Sequence, residues 1–182
     1  FFTAAAIVLG LLIVAVITQR SLATAAQAAV AGSHDAAVSR LPWRVIARDY
    51  LRVTKPTIVV LLLVTTLGAM LIAGNGWPSF GLVLATLLGG ALASGGAGAL
   101  NCYYDRDIDV VMARTRKRPI PTGHLTPSQV RTFGLALSAF AIIELAWLVN
   151  PLAAALALAG NLFYVGIYTR WLKRSTPQNI VI

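Results

Sequence analysis

Acidic residues are scarce in this chain: six Asp and Glu stand against 15 Lys and Arg in 182 residues. Charged residues of either sign amount to only 12%, which excludes a soluble domain with an ordinary solvated surface. The single cysteine, Cys102, excludes an internal disulfide and says nothing more about redox compartment. Neither of the two histidines, His34 and His124, has a second metal ligand at a recognisable spacing. No solenoid-type repeat is present, and the apolar start Phe1–Thr18 lacks the basic residues that open a cleavable signal. With Phe1 where an initiator Met would stand, and with Ile182 in mid-segment, the chain reads as a piece of a longer protein.

What the chain does have is apolar length. Hydrophobic residues make up 58% of it, in five stretches: Phe1–Thr18, Thr57–Gly74, Phe80–Leu100, Phe133–Val149 and Leu152–Thr169. Each approaches the ~20 residues that a helix needs to cross a bilayer. The expected fold is therefore an all-α, polytopic transmembrane helical bundle with the lipid bilayer as its solvent. The charges confirm a consistent threading. The turns at Asn75–Ser79 and Asn150–Pro151 carry none. Arg20, Arg40, Arg44, Arg48, Arg52 and Lys55 precede the second span, and Arg106, Arg114, Arg116, Lys117, Arg118 and Arg131 lie between the third and fourth. Arg170, Lys173 and Arg174 follow the fifth. The positive-inside rule makes that face cytoplasmic. For Arg20, Arg40 and Arg131 this topological role is explanation enough.

Three segments are expected. Residues 1–18 form an extra transmembrane helix, 19–40 an Ala-rich polar linker, and 41–182 the main membrane domain. Within the last, Leu41–Val53 is amphipathic: Trp43, Ile46, Tyr50 and Val53 share one helical face and Arg44, Arg48 and Arg52 another, as in a helix lying in the membrane interface. Pro56 suits the first turn of the second span. Thr126-Pro127-Ser128-Gln129 predicts a helix start with a capping box. The run Gly89–Ala99, rich in small residues, reads either as a close helix-packing face or as a groove for a long apolar substrate.

Half of the six carboxylates fall in Asn101-Cys102-Tyr103-Tyr104-Asp105-Arg106-Asp107-Ile108-Asp109, where the third span meets the membrane surface. Charge at that depth is a functional-site signal. Asn101, Asp105 and Asp109 stand four residues apart and share one helical face, whereas Asp107 points elsewhere. Two carboxylates and an amide oxygen suit a hard divalent cation such as Mg²⁺ that keeps waters and shares a phosphorylated ligand. The threading gathers this stripe at one membrane face with Arg52, Lys55 and the ends of the loop and of the fifth span. A ligand matched to such a place has an anionic, metal-binding head and a long hydrocarbon tail. A prenyl diphosphate has both.

The string from Asn101 to Pro119, with Val53-Thr54-Lys55-Pro56-Thr57 and Tyr168–Ile182, resembles the UbiA-type intramembrane prenyltransferases, most closely their haem O synthase branch. The resemblance covers about Asp49 to Ile182. It implies a nine-helix membrane fold with Mg²⁺ at two acidic motifs, the second lying beyond this chain. It also implies transfer of a farnesyl group from farnesyl diphosphate to a vinyl group of haem B. On it, Asn101, Asp105 and Asp109 hold the metal; Tyr168 and Lys173 contact the diphosphate, as do Arg114 and Arg118, with Arg52 and Lys55 as further neighbours. No residue is assigned a general acid–base role, and the chain on its own is expected to be inactive. The extra first helix matches an arrangement in which a haem A synthase is fused upstream, and equally a simple anchor. The expected location is a bacterial plasma membrane, and nucleic acid is not expected as a partner.

Two alternatives stand beside this reading. One is a prenyltransferase acting on an aromatic quinone precursor or on chlorophyllide. The other, from a different class, is a transporter segment using Asp105 and Asp109 for ion coupling, which predicts carboxylates near the bilayer midplane. Among the remaining polar residues, His124 reads as a solvated loop histidine or, alternatively, as a contact to a haem propionate or iron, and Glu144 as hydrogen-bonded within the bundle or as a contact to the porphyrin pocket. Asn161, Tyr164 and Tyr168 share a helical face, and Cys102 reads as packing.

Overall fold

The computed structural model describes residues 42–74 and 76–172. The expected first helix, the linker and Lys173 lie outside the described residues. The regular elements are α1 (Trp43–Val53), α2 (Pro56–Ala73), α3 (Phe80–Tyr104), α4 (Arg106–Val111), α5 (Pro127–Leu148) and α6 (Pro151–Leu162), which runs on as a π-helical segment, Phe163–Leu172. Among the described residues, four stretches are long and apolar enough to cross a membrane: Pro56–Ala73, Phe80–Tyr104, Pro127–Leu148 and Pro151–Thr169.

The helix starts follow from local chemistry. Proline opens α2, α5 and α6, where its missing N–H breaks no helical bond. Ser79 caps α3 by accepting from the Leu82 amide at 3.4 Å, and Asn150 caps α6 by accepting from the Ala153 amide at 2.7 Å. The predicted capping box is present: Thr126 Oγ1 accepts from the Gln129 amide at 3.3 Å, and Gln129 Oε1 accepts from the Thr126 amide at 2.9 Å.

The third span is the hub, packing along α5, α2 and α6. Close approach to α5 requires glycine at two levels. A Cβ at Gly96 would lie 2.9 Å from the carbonyl oxygen of Gly134, and one at Gly89 would lie 2.5 Å from Leu145 Cγ. Packing is thus one role of the small-residue run. At the charged end, Val53 of α1 enters a core with Ala99, Cys102, Leu125 and Val130. Tyr50 packs edge-on against Phe133, with centroids 4.8 Å apart. Of the predicted apolar face of α1, only Trp43 is exposed, at 72%. Cys102 is buried, its Sγ facing the Val53 carbonyl at 3.9 Å, so it packs as expected.

Candidate functional site

The acidic stripe sits where α3 ends. The helix breaks at Asp105, yet the i→i−4 ladder continues through it: the Asp105 amide donates to the Asn101 carbonyl at 2.9 Å and the Asp109 amide to the Asp105 carbonyl at 2.8 Å. The three side chains therefore stay on one face. Asn101, Asp105 and Asp109 are only 3%, 1% and 2% exposed, while Asp107 is exposed. Buried carboxylates in a membrane protein need counter-charge.

The chain's own cations supply it. Arg118 Nη1 donates to both oxygens of Asp109, at 2.9 and 2.7 Å. Burial pulls against the charge of this guanidinium, but hydrogen bonding to Asp109 and the field of the carboxylates outweigh it and hold its pKa above the ordinary value. The Lys55 ammonium donates to Asn101 Oδ1. The other end of that amide is fixed from a distance: Asn101 Nδ2 donates to Thr169 Oγ1 at 3.2 Å, and Thr169 Oγ1 donates to the Tyr164 carbonyl at 2.8 Å. Thr169 is fully buried, and the π-helical turn at the end of the fifth span carries it to this position. With the nitrogen committed to Thr169, the amide oxygen is presented to Lys55 and to any cation that replaces it.

Lys55 is the residue around which the site is arranged. It occupies the left-handed region, with φ 56°, the only described non-glycine residue to do so. That conformation costs an L residue roughly 1–2 kcal/mol, and here it falls between α1 and α2. Lys55 lines two cavities at once. One, about 340 Å³, is walled by Arg52, Lys55, Lys117 and Arg118, four cations with no carboxylate in its lining. The other, about 470 Å³, is an apolar groove between α2, α3 and α6 lined by Ile58, Leu62, Gly90, Ala93, Ala97 and Tyr164. That volume lies in the ~300–1,000 Å³ range of ligand sites. The small residues of α3 thus line a groove as well as packing against α5.

Of the residues singled out for diphosphate, Arg52, Lys55 and Arg118 come together in the cation-walled cavity. Arg114 is exposed and lines no described cavity. Tyr168 stacks on Tyr164, centroids 5.5 Å apart, one ring removed from the groove lining. Sequence reasoning missed Lys117 and Thr169. The basic run 114–118 contained the first without distinguishing it, and the second depends on a contact across 68 positions. Two expectations are corrected. His124 is not simply solvated, for its Nδ1 lies 2.7 Å from Asp49 Oδ2. Glu144 is buried at the α3–α5 contact, and neither of its oxygens has a hydrogen bond among the described residues.

The donor set of the stripe is chemically suited to a hard divalent cation: two carboxylates and one oriented amide oxygen, with no sulfur or nitrogen ligand. No cluster of three or more His, Cys, Asp or Glu exists among the described residues, so such a cation would take further oxygens from water or from a bound ligand.

Known proteins resemble the chain over most of its length. A protein named protoheme IX farnesyltransferase from Symbiobacterium thermophilum is 55% identical over 137 residues, covering 75% of this chain and 46% of that protein. One of the same name from Salinispora tropica is 47% identical over 164 residues, covering 90% and 51%. A third, from Chloroflexus aurantiacus, is 51% identical over 144 residues, covering 79% and 24%. The chain thus spans about half, or less, of the length of these curated relatives. No solved structure matches it. Residues 62–182, including the acidic stripe and the α3 and α6 walls of the groove, match the UbiA prenyltransferase family; this is a multi-pass membrane protein, and it belongs to that family.

Proposed function

We propose that the chain carries the diphosphate-binding part of an enzyme that transfers the farnesyl group of farnesyl diphosphate to a vinyl group of haem B, giving haem O. One observation carries the reading: the four-cation cavity and the apolar groove meet at Lys55, beside the acidic stripe. An anionic head and a hydrocarbon tail joined at one carbon fit those two compartments. The names of the relatives supply the acceptor.

Asn101, Asp105 and Asp109 would hold Mg²⁺, which when bound neutralises the diphosphate and helps it leave. The protein's own groups do the rest. Arg118 and Lys55, now resting on Asp109 and Asn101, are within the cavity and turn to the phosphate oxygens once the stripe has other counter-charge. Arg52 and Lys117 complete that wall. As the bond between C1 of the farnesyl group and the diphosphate oxygen breaks, these cations take up the charge on the leaving group. A carbon–carbon bond forms to the vinyl terminus, water adds to the adjacent carbon, and a proton is released. The groove holds the tail away from water so that the reactive carbon is met by the acceptor. Tyr168, Lys173 and Arg114 keep their diphosphate assignment by resemblance alone. The basic face is cytoplasmic on charge grounds, in a bacterial plasma membrane. The Chloroflexus relative, aligned over a similar length, is about twice as long as the Symbiobacterium one, a length with room for a fused domain; a haem A synthase upstream is the fusion proposed for this chain.

The test uses the complete gene product containing this chain, in membranes supplied with haem B, farnesyl diphosphate and Mg²⁺, with mass spectrometry of the haems. Haem O from the parent, reduced about 10²–10³-fold in Asp105→Asn and Asp109→Asn, is the expected result. Prenylation of a quinone precursor in place of haem B would overturn the acceptor. No prenyl transfer to any acceptor would overturn the reading.

A further inference from the structure

Outside the acidic site, the most deliberately built polar feature is the pair His124–Asp49. Gly123, with φ 74°, turns the chain immediately before His124. Leu125, 2% exposed, anchors it immediately after, in the core with Val53 and Cys102. The Leu125 amide donates to the Pro119 carbonyl at 3.1 Å and ties the loop to itself. His124 is thus a fixed residue on a braced loop. Its Nδ1 lies 2.7 Å from Asp49 Oδ2, and Asp49 is 1% exposed. A carboxylate can only accept, so Nδ1 donates, and the neutral ring then carries its lone pair on Nε2. Nε2 makes no hydrogen bond among the described residues, and the side chain is 38% exposed. A buried carboxylate fixing one ring nitrogen while the other faces outward is the usual arrangement of an imidazole that ligates a metal.

The surroundings narrow the metal's form. Among the described residues no second His, Cys or carboxylate joins the pair to make a three-ligand group for a bare ion. One imidazole suffices for an iron already held by four porphyrin nitrogens. The other oxygen of Asp49 receives Arg52 Nη1 at 3.5 Å, and Arg52 is also a wall of the cation-lined cavity. His124 is therefore linked to the diphosphate compartment through two side chains, Asp49 and Arg52. A dianionic porphyrin docked on His124 has positive charge beside it and its periphery on the same face as the proposed diphosphate.

We propose that His124, held by Asp49, ligates the iron of haem B through Nε2 and docks the porphyrin for transfer. The assignment rests on the haem-acceptor reading above. It makes the site selective for the iron-loaded porphyrin, since a metal-free ring offers His124 nothing to bind.

Purified complete gene product, in detergent micelles, is titrated with ferric haem B and with metal-free protoporphyrin IX, followed by absorption and electron paramagnetic resonance. Wild type should show imidazole-ligated iron. His124→Ala should lose that signature and bind haem on the order of ten-fold more weakly, with protoporphyrin IX binding unchanged, which also shows that the pocket is intact. Asp49→Asn should keep the ligation but weaken haem roughly ten-fold. His124→Met, which keeps a ligand of different chemistry, should move the spectrum. Identical haem spectra and affinities in wild type, His124→Ala and His124→Met would overturn the assignment while haem O production stands. A wild type that binds no porphyrin and prenylates another acceptor would overturn the acceptor reading with it.

Discussion

Helices α2 and α3 look alike by composition, both long, apolar and nearly free of charge, yet they do opposite things. No residue of α2 is buried, and Ile58, Val60, Leu61, Val64 and Ile72 stand at least half exposed to what would be lipid. α3 buries eleven residues and touches every neighbour. The difference lies in side-chain size. Lipid is as apolar as leucine, so hydropathy alone drives no helix association in a membrane; close packing of small residues does. Hydropathy assigns both helices to the bilayer, and the glycines alone identify the hub.

The comparison can be broken most sharply at Gly96. A Cβ there would meet the Gly134 carbonyl and the Ser138 amide nitrogen, each at 2.9 Å, and backbone cannot step aside. Gly96→Val should destabilise the bundle by about 1–3 kcal/mol, read by denaturant unfolding of the purified protein. The matched change on α2, Gly68→Ala, meets nothing within 4 Å and should be neutral or stabilise by up to ~1 kcal/mol. If both substitutions cost the same, the hub description fails. Next in size, Ala93→Phe fills the groove face of α3 rather than its packing face. It should spare stability, weaken farnesyl diphosphate by roughly ten-fold, about 1.4 kcal/mol, and leave inorganic diphosphate untouched in competition binding. The smallest effect is expected at Lys55, where α2 meets α3. Lys55→Asn removes a charge-assisted hydrogen bond worth about 1.5 kcal/mol and relieves a left-handed residue by a similar amount. Net stability should stay within about 0.5 kcal/mol while diphosphate affinity falls, a separation that calorimetric titration beside an unfolding curve would show.

Much of this was legible in the chain because its signals are local. The capping box at Thr126, the proline at the start of α2 and the Asn101–Asp109 stripe each depend on residues at most eight apart, and each is found where expected. What sequence reasoning missed depends on meetings between distant segments. Thr169 reaches Asn101 only because the fifth span ends in π-helical geometry, which rotates every later residue relative to an α-helix. Asp49 meets His124 across 75 positions, so an interfacial helix and a loop that look separately solvated bury a carboxylate between them. Glu144 was expected to find a bonding partner in the bundle; its carboxyl lies instead against the bare backbone of Gly89, where nothing donates.

The bond between Asn101 and Thr169 also has a bearing on time. A ribosome adding about 5–20 residues per second needs roughly 3–14 s to make the 68 residues between them. Through that interval the third span can already be in the membrane while its amide has no anchor. The nascent acidic stripe is therefore unfinished by construction, and the last described helix to be inserted is the one that completes it.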